Sequence, residues 1–217
     1  MNSLAATHSK TRKAYNLAAQ KYHDLFHNEI NEKEYDRKLL DAFAKKFASG
    51  SRVLDAGCGP SAHIGRHLFD KGLNVIGVDI SDRCVEIARG LNPGMSFKRQ
   101  DIAGTSFRGD FFNGIVAYYS IIHTPKKRVG VLFEEFHRVL KPSGFLLVAV
   151  KAGTGEGFQH ELLGIEADIY FSLFTESEIE KYFEEAGFRL DFMERRNPYD
   201  FEIKNERIFA IGQKSSR

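Results

Sequence analysis

The sequence predicts an α/β fold: a doubly wound, seven-stranded, mostly parallel sheet, with an antiparallel C-terminal hairpin strand and helices on both faces. Three observations carry this. Short apolar runs alternate with helical patterns from Val53 to Val150. The run 145–150 is continuously apolar, as a strand covered on both faces must be. The last strand-like runs, at about 188–195 and 206–213, have no helix between them and are expected to pair antiparallel.

Each element has a local reason. Residues 3–27 place Tyr15, Ala18, Ala19, Tyr22 and Phe26 at helical spacing. That stripe suits either a helix packed on the core or a lid whose tyrosines face a ligand. A helix over about 34–48 carries Leu39, Leu40, Phe43 and Phe47, with Gly50 expected at its C-cap. Val53–Ala56 reads as a buried strand, followed by Gly57-Cys58-Gly59 and a helix over about 62–71. A strand at 73–78 leads to Ser81-Asp82, an N-cap pair that opens a helix to about Arg89. Asn92-Pro93-Gly94 breaks the chain before a strand at 95–100 and a polar loop at 101–110.

Phe111–Tyr119 reads as a largely buried fourth strand, and 126–140 as an amphipathic helix. Lys141-Pro142-Ser143-Gly144 is expected to be a sharp turn, and 152–174 an irregular insertion. Thr175-Glu176-Ser177-Glu178 is a capping box opening a helix that Gly187 ends. Asn197-Pro198 marks a turn between the closing strands.

The totals exclude several classes. Net charge is +2, from 31 basic and 29 acidic residues, so nothing demands nucleic acid or an anionic membrane as a partner. The opening Met1–Ala6 lacks a signal-peptide core, and no apolar run approaches membrane-spanning length. Cys58 and Cys84 show no metal-ligand spacing, so no metal is expected and both read as reduced thiols of a cytoplasmic protein.

The chemistry concentrates at the strand ends. Gly57 and Gly59 let backbone approach a ligand where a Cβ would clash. Asp79, about twenty residues beyond that turn, suits ribose hydroxyls, since a carboxylate accepts from both O–H groups. Asp101 and Ile102 supply an acceptor and an apolar contact for an adenine. Asp55 sets negative charge before the turn, which argues against a dinucleotide and for a ligand carrying an ammonium group. His123, just past the fourth strand, is a candidate general base or a residue that orients its loop.

An adenosine bearing an amino-acid tail is S-adenosylmethionine, and the chain resembles the Rossmann-like S-adenosylmethionine-dependent methyltransferases. The resemblance rests on Val53–Gly59, Val75–Ser81, Phe97–Ile102, Ile115–Pro125 and Arg138–Gly144, with Tyr15–Tyr22 similar to a common lead-in of that family. Ser61 stands where the family often has a third glycine. The resemblance implies one methyltransferase domain over 1–217: a helical lid (1–48), a cofactor-binding core (50–151), a substrate-side insertion (152–174) and a C-terminal helix and hairpin (175–217).

It further implies that Asp55, Gly57 and Gly59 cradle the methionine portion, Asp79 the ribose, and Ile80, Asp101 and Ile102 the adenine. Tyr118, Tyr119 and Ser120 would flank the sulfonium, with Tyr15 and Tyr22 reaching in from the lid. The acceptor would be a small molecule methylated on O, N or S. Phe158, Tyr170, Phe171 and Phe174 either line its site or pack the insertion onto the sheet. RNA or protein methylation, an NAD-dependent oxidoreductase and a non-catalytic binding protein of the same fold remain the alternatives.

Overall fold

The computed structural model describes residues 3–215, so the ends of the Met1–Ala6 segment and of the 175–217 unit lie outside the described residues. A seven-stranded sheet runs in the order β3-β2-β1-β4-β5-β9-β8. Its strands are β1 (Arg52–Ala56), β2 (Asn74–Asp79), β3 (Ser96–Arg99), β4 (Phe112–Tyr118), β5 (Leu140–Lys151), β8 (Phe188–Arg196) and β9 (Arg207–Lys214). The first five are mutually parallel, and β9 inserts antiparallel between β5 and β8. This is the predicted sheet with its closing hairpin.

The helices are α1 (Leu4–Phe26), α2 (Glu29–Glu32), α3 (Glu34–Ala44), α4 (His63–Asp70), α5 (Asp82–Leu91), α6 (Lys126–Val139) and α7 (Glu176–Glu185). Apolar layers cover both faces. Phe133, Phe136, Ile179 and Phe183 of α6 and α7 pack on one side, and Leu40, Phe43, Ile64 and Leu68 of α3 and α4 on the other. Between them, Val53, Leu54 and Ala56 of β1 are fully buried, which is why that strand reads as unbroken apolar sequence around one acid. Ser81 caps α5 by accepting from the Cys84 N–H, and Thr175 with Glu178 forms the expected reciprocal box on α7.

Three local expectations are corrected. Residues 152–174 are not irregular: β6 (Glu156–Leu162) and β7 (Ile165–Ser172) pair as a separate antiparallel hairpin through Leu163-Gly164. Its bulge between Gln159 and Glu161 breaks the alternation that would have marked two strands. Helix α3 ends at Ala44 with Lys45 as its cap, and Gly50 (φ 76°) instead serves the tight entry to β1, donating to the Gly72 carbonyl. Lys141–Gly144 is a bulge inside β5, where Phe112 pairs with Leu140 and Gly114 with Phe145. Lys126, at the start of α6, is half-buried and pairs with Glu178 at 2.8 Å.

Strand order reverses at β1, whose neighbours are β2 and β4. Crossovers leave on opposite faces there, and their divergence opens a crevice beyond the carboxyl ends of the strands.

Candidate active site

A cavity of about 890 Å³, its open mouth included, fills that crevice. Its wall contains every residue that the sequence assigned to the cofactor or the chemistry: Tyr15, Tyr22, Asp55, Gly57, Gly59, Asp79, Ile80, Asp101, Ile102, Tyr118, Tyr119, Ser120 and His123, but none of Phe158, Tyr170, Phe171 and Phe174. It also holds residues that the sequence reading missed, among them His8, Thr11, Glu29 and His63. His8 and Thr11 lie on the face of α1 that carries Tyr15 and Tyr22, so extending the stripe two turns back would have found them. Glu29 and His63 gave no such signal, because they meet only through the fold, His63 Nε2 lying 3.1 Å from Glu29.

The glycine turn is fixed by close contact. A Cβ on Gly57 would stand 2.3 Å from Ser120 Cβ, and Gly57 holds φ 84°. Only glycine satisfies both demands at low cost. Gly59, at φ 62°, instead faces open space into the cavity. Its N–H donates to Asp79 Oδ2 at 2.9 Å, and the Ser81 N–H donates to Oδ1 at 2.8 Å. Asp55 accepts from the Gly65 N–H at 3.0 Å, at the base of α4.

Burial dominates these acids. It pushes the Asp55 carboxyl up to about 7, against the Gly65 hydrogen bond, with Asp79 adding repulsion. It pushes Asp79 up to about 6, against its backbone donors. For Asp101 burial also favours the neutral acid, but hydrogen bonds from His8 and the Ala103 N–H outweigh it and hold the carboxyl below its ordinary range. His8 Nδ1 lies 2.8 Å from Asp101 Oδ2, and its Nε2 lies 3.0 Å from Thr124 Oγ1.

His123 is engaged through both ring nitrogens. Nδ1 lies 2.9 Å from the Tyr170 carbonyl and must donate to it, which leaves Nε2 to accept from the Tyr15 hydroxyl at 2.8 Å. Burial, with Lys151 and His8 nearby, pulls the imidazole down to about 4, so it is neutral at pH 7. Phe171 packs edge-on against it with ring centres 4.9 Å apart. The other insertion aromatics lie elsewhere: Phe174 is fully buried in the core, and Phe158 pairs with Tyr170 beneath Lys10. His160 is exposed on Asp168.

Helix α1 roofs the cavity. Its outer clasps are the exposed pairs Lys10–Asp168 and Arg12–Asp82, which solvent screens. Its inner contacts are Asn16 Oδ1, which accepts from the Ser81 hydroxyl at 2.6 Å, and the His8–Asp101 and Tyr15–His123 bonds.

Tyr119 Oη and Ser120 Oγ are buried without a hydrogen-bond partner among the described residues. Orphaned polar atoms on a cavity wall mark where a ligand completes the structure. No group of three or more acids, histidines or cysteines among the described residues could hold a metal, and none of their helices is long and apolar enough to cross a membrane.

A glycine turn and three acids at successive strand ends, on a doubly wound sheet, define a Rossmann-like nucleoside-binding enzyme fold. Residues 27–191 match the methyltransferase domain family, and the chain belongs to that family. The chain is 31% identical over 116 residues to a tRNA (carboxymethyluridine(34)-5-O)-methyltransferase of Arabidopsis thaliana, covering 53% of this chain and 28% of that protein. It spans half or less of the length of this and the next curated relatives it matches, 28%, 42% and 50%. In structure it is similar to the 1,6-didemethyltoxoflavin-N1-methyltransferase of Burkholderia thailandensis, with TM-score 0.76, 15% identity, and 100% of this chain and 92% of that chain covered. It is also similar to the magnesium protoporphyrin IX methyltransferase of Synechocystis, with TM-score 0.74, 17% identity, and 99% and 100% covered.

Proposed function

We propose that this protein is an S-adenosylmethionine-dependent methyltransferase acting on a small-molecule acceptor in the cytoplasm. One observation carries the reading: Asp55, Asp79 and Asp101 project from successive strand ends into one cavity whose Gly59 wall is open. The family supports it, as do structural neighbours solved with S-adenosylmethionine or S-adenosylhomocysteine bound.

The residues fit that cofactor. Gly57 and Gly59 provide the close backbone, and Asp79 is positioned by two N–H groups to receive ribose hydroxyls. Ile80 and Ile102 provide apolar faces for adenine, and Asp101 an acceptor for its amine. Asp55 would meet the methionine end, Tyr118 to Ser120 would border the sulfonium, and Tyr15 and Tyr22 would close the roof; all of them line the cavity. The bound cofactor supplies a methyl carbon already activated by positive sulfur, so the protein's work is placement. His123 serves that placement: its neutral ring fixes the Tyr15 hydroxyl rather than standing free as a base. Helix α1 is the lid and the β6–β7 hairpin the acceptor-side wall.

The test is incubation with methyl-labelled S-adenosylmethionine and, separately, a small-molecule extract and bulk tRNA. Label in the small-molecule fraction is the expected result. Label in tRNA alone would move the acceptor to the class named for the Arabidopsis relative.

A further inference from the structure

Beyond the cradle the cavity abuts a buried charged cluster. Lys33 pairs with Glu29 at 2.7 Å and with Glu202 at 3.0 Å. Arg196 pairs with Asp36 at 3.0 Å and with Glu202 at 2.8 Å. Arg207 lies 3.6 Å from Glu202 and donates to the Ile203 carbonyl. Lys151 ends β5 directly opposite Arg207 in the β9 register. Its ammonium makes no ion pair or hydrogen bond with a described residue, and its near contact is the Phe171 ring, 5.7 Å to the centre. Four cations therefore meet three carboxylates, and Lys151 is the surplus one. A charge withdrawn from water without a partner is costly. Burial, followed by Arg207 and Lys33, pulls the Lys151 ammonium below its ordinary range.

Tyr119 belongs to the same charged cluster. Its ring lies between Lys33 and Arg207, 5.8 and 6.0 Å from its centre. Its hydroxyl is one of the buried orphans, and its backbone is held at φ 53°. A bulky residue in the left-handed region costs about 1–3 kcal/mol and persists only where the surrounding structure over-determines it, often at functional sites. Phe171 links the two halves, touching both Lys151 and His123. The imidazole at this end is occupied on both nitrogens, so the site suits a nucleophile with no proton to lose.

We propose that the acceptor carries a carboxylate, held by the Lys151 ammonium and the Tyr119 hydroxyl, and that this carboxylate is methylated to an ester. This rests on the methyltransferase reading above. One carboxylate oxygen bonds to the methyl carbon while the carbon–sulfur bond breaks and its electron pair passes to sulfur; no proton moves. The ester is neutral, so its hold on Lys151 is lost and release follows from the chemistry itself.

The test couples product chemistry to one variant, Lys151→Met. Label transferred into the extract is expected to be released as volatile methanol by mild alkali. Lys151→Met is expected to lose transfer by about ten- to a hundred-fold, the range for a hydrogen bond to a charged group. Its affinity for S-adenosylhomocysteine should stay unchanged by calorimetry. Its Tm should rise, because a half-buried charge with no carboxylate partner has been removed. Alkali-stable label, wild-type transfer by the variant, or a lowered Tm would each overturn the assignment. Absence of any transfer by the wild-type protein would instead overturn the methyltransferase reading beneath it.

Discussion

At the cradle end of the cavity, each acid of β1 and β2 is held by backbone close along the chain. Asp79 takes N–H groups 2 and 20 residues away, and Asp55 one that is 10 residues away. In the charged cluster that we propose as the acceptor end, charges are held across the whole molecule. Asp36 meets Tyr118 at a separation of 82 residues and Arg196 at 160. The roof contacts behave the same way, His8 reaching Asp101 over 93 residues and Tyr15 reaching His123 over 108. The cradle is thus a property of one strand–turn–helix grammar, and the acceptor end a property of the assembled fold. A site built in this way can keep one ligand while its other end diversifies.

The largest effect is expected at Arg196. Arg196→Ala leaves Asp36 and part of Glu202 buried without their partner, and is expected to cost about 3–5 kcal/mol in urea unfolding. The folded fraction should still bind S-adenosylhomocysteine with wild-type affinity by calorimetry. Loss of affinity in proportion to stability would show that the two ends are not separable.

Gly57→Ala attacks the other end. Its Cβ meets Ser120 and its positive φ is strained, so about 2–3 kcal/mol of stability should go, and cofactor-product affinity should fall with it. Retention of full affinity would mean that the turn is structural only.

The smallest effect is read per pH unit. Asp55 is raised to about 7 in the folded protein by burial, so the folded state binds a proton that the unfolded chain has already released. That contribution is full below the unfolded value, about 4, and is lost as pH rises through about 7. Wild-type stability measured against Asp55→Asn should therefore decline by at most about 1.4 kcal/mol per unit from pH 4 to 7. Using the difference removes His123, whose depressed value acts in the opposite direction over the same window. A flat difference would mean that Asp55 is ionised throughout.

Much of this was legible in the chain, for physical reasons that differ between elements. The β5 core strand showed itself because burial on both faces demands an unbroken apolar run. The α7 cap showed itself because a capping box is complete within four residues. The β6–β7 hairpin did not, because its bulge and mixed composition give neither clean period. Tyr118 was legible as a cavity residue, but the bond from its hydroxyl to Asp36 was not.

By itself the sequence determined the sheet, its closing hairpin and the glycine turn with its strand-end acids, since turns, strand ends and caps act over a few residues. Only the tertiary structure decided the rest. It gave His123 both its partners, set His8 on Asp101, and left Lys151 without a carboxylate partner among the described residues. Those outcomes depend on which distant groups share one dry volume, and pairing in low dielectric is set by position in space, which residue order alone does not carry.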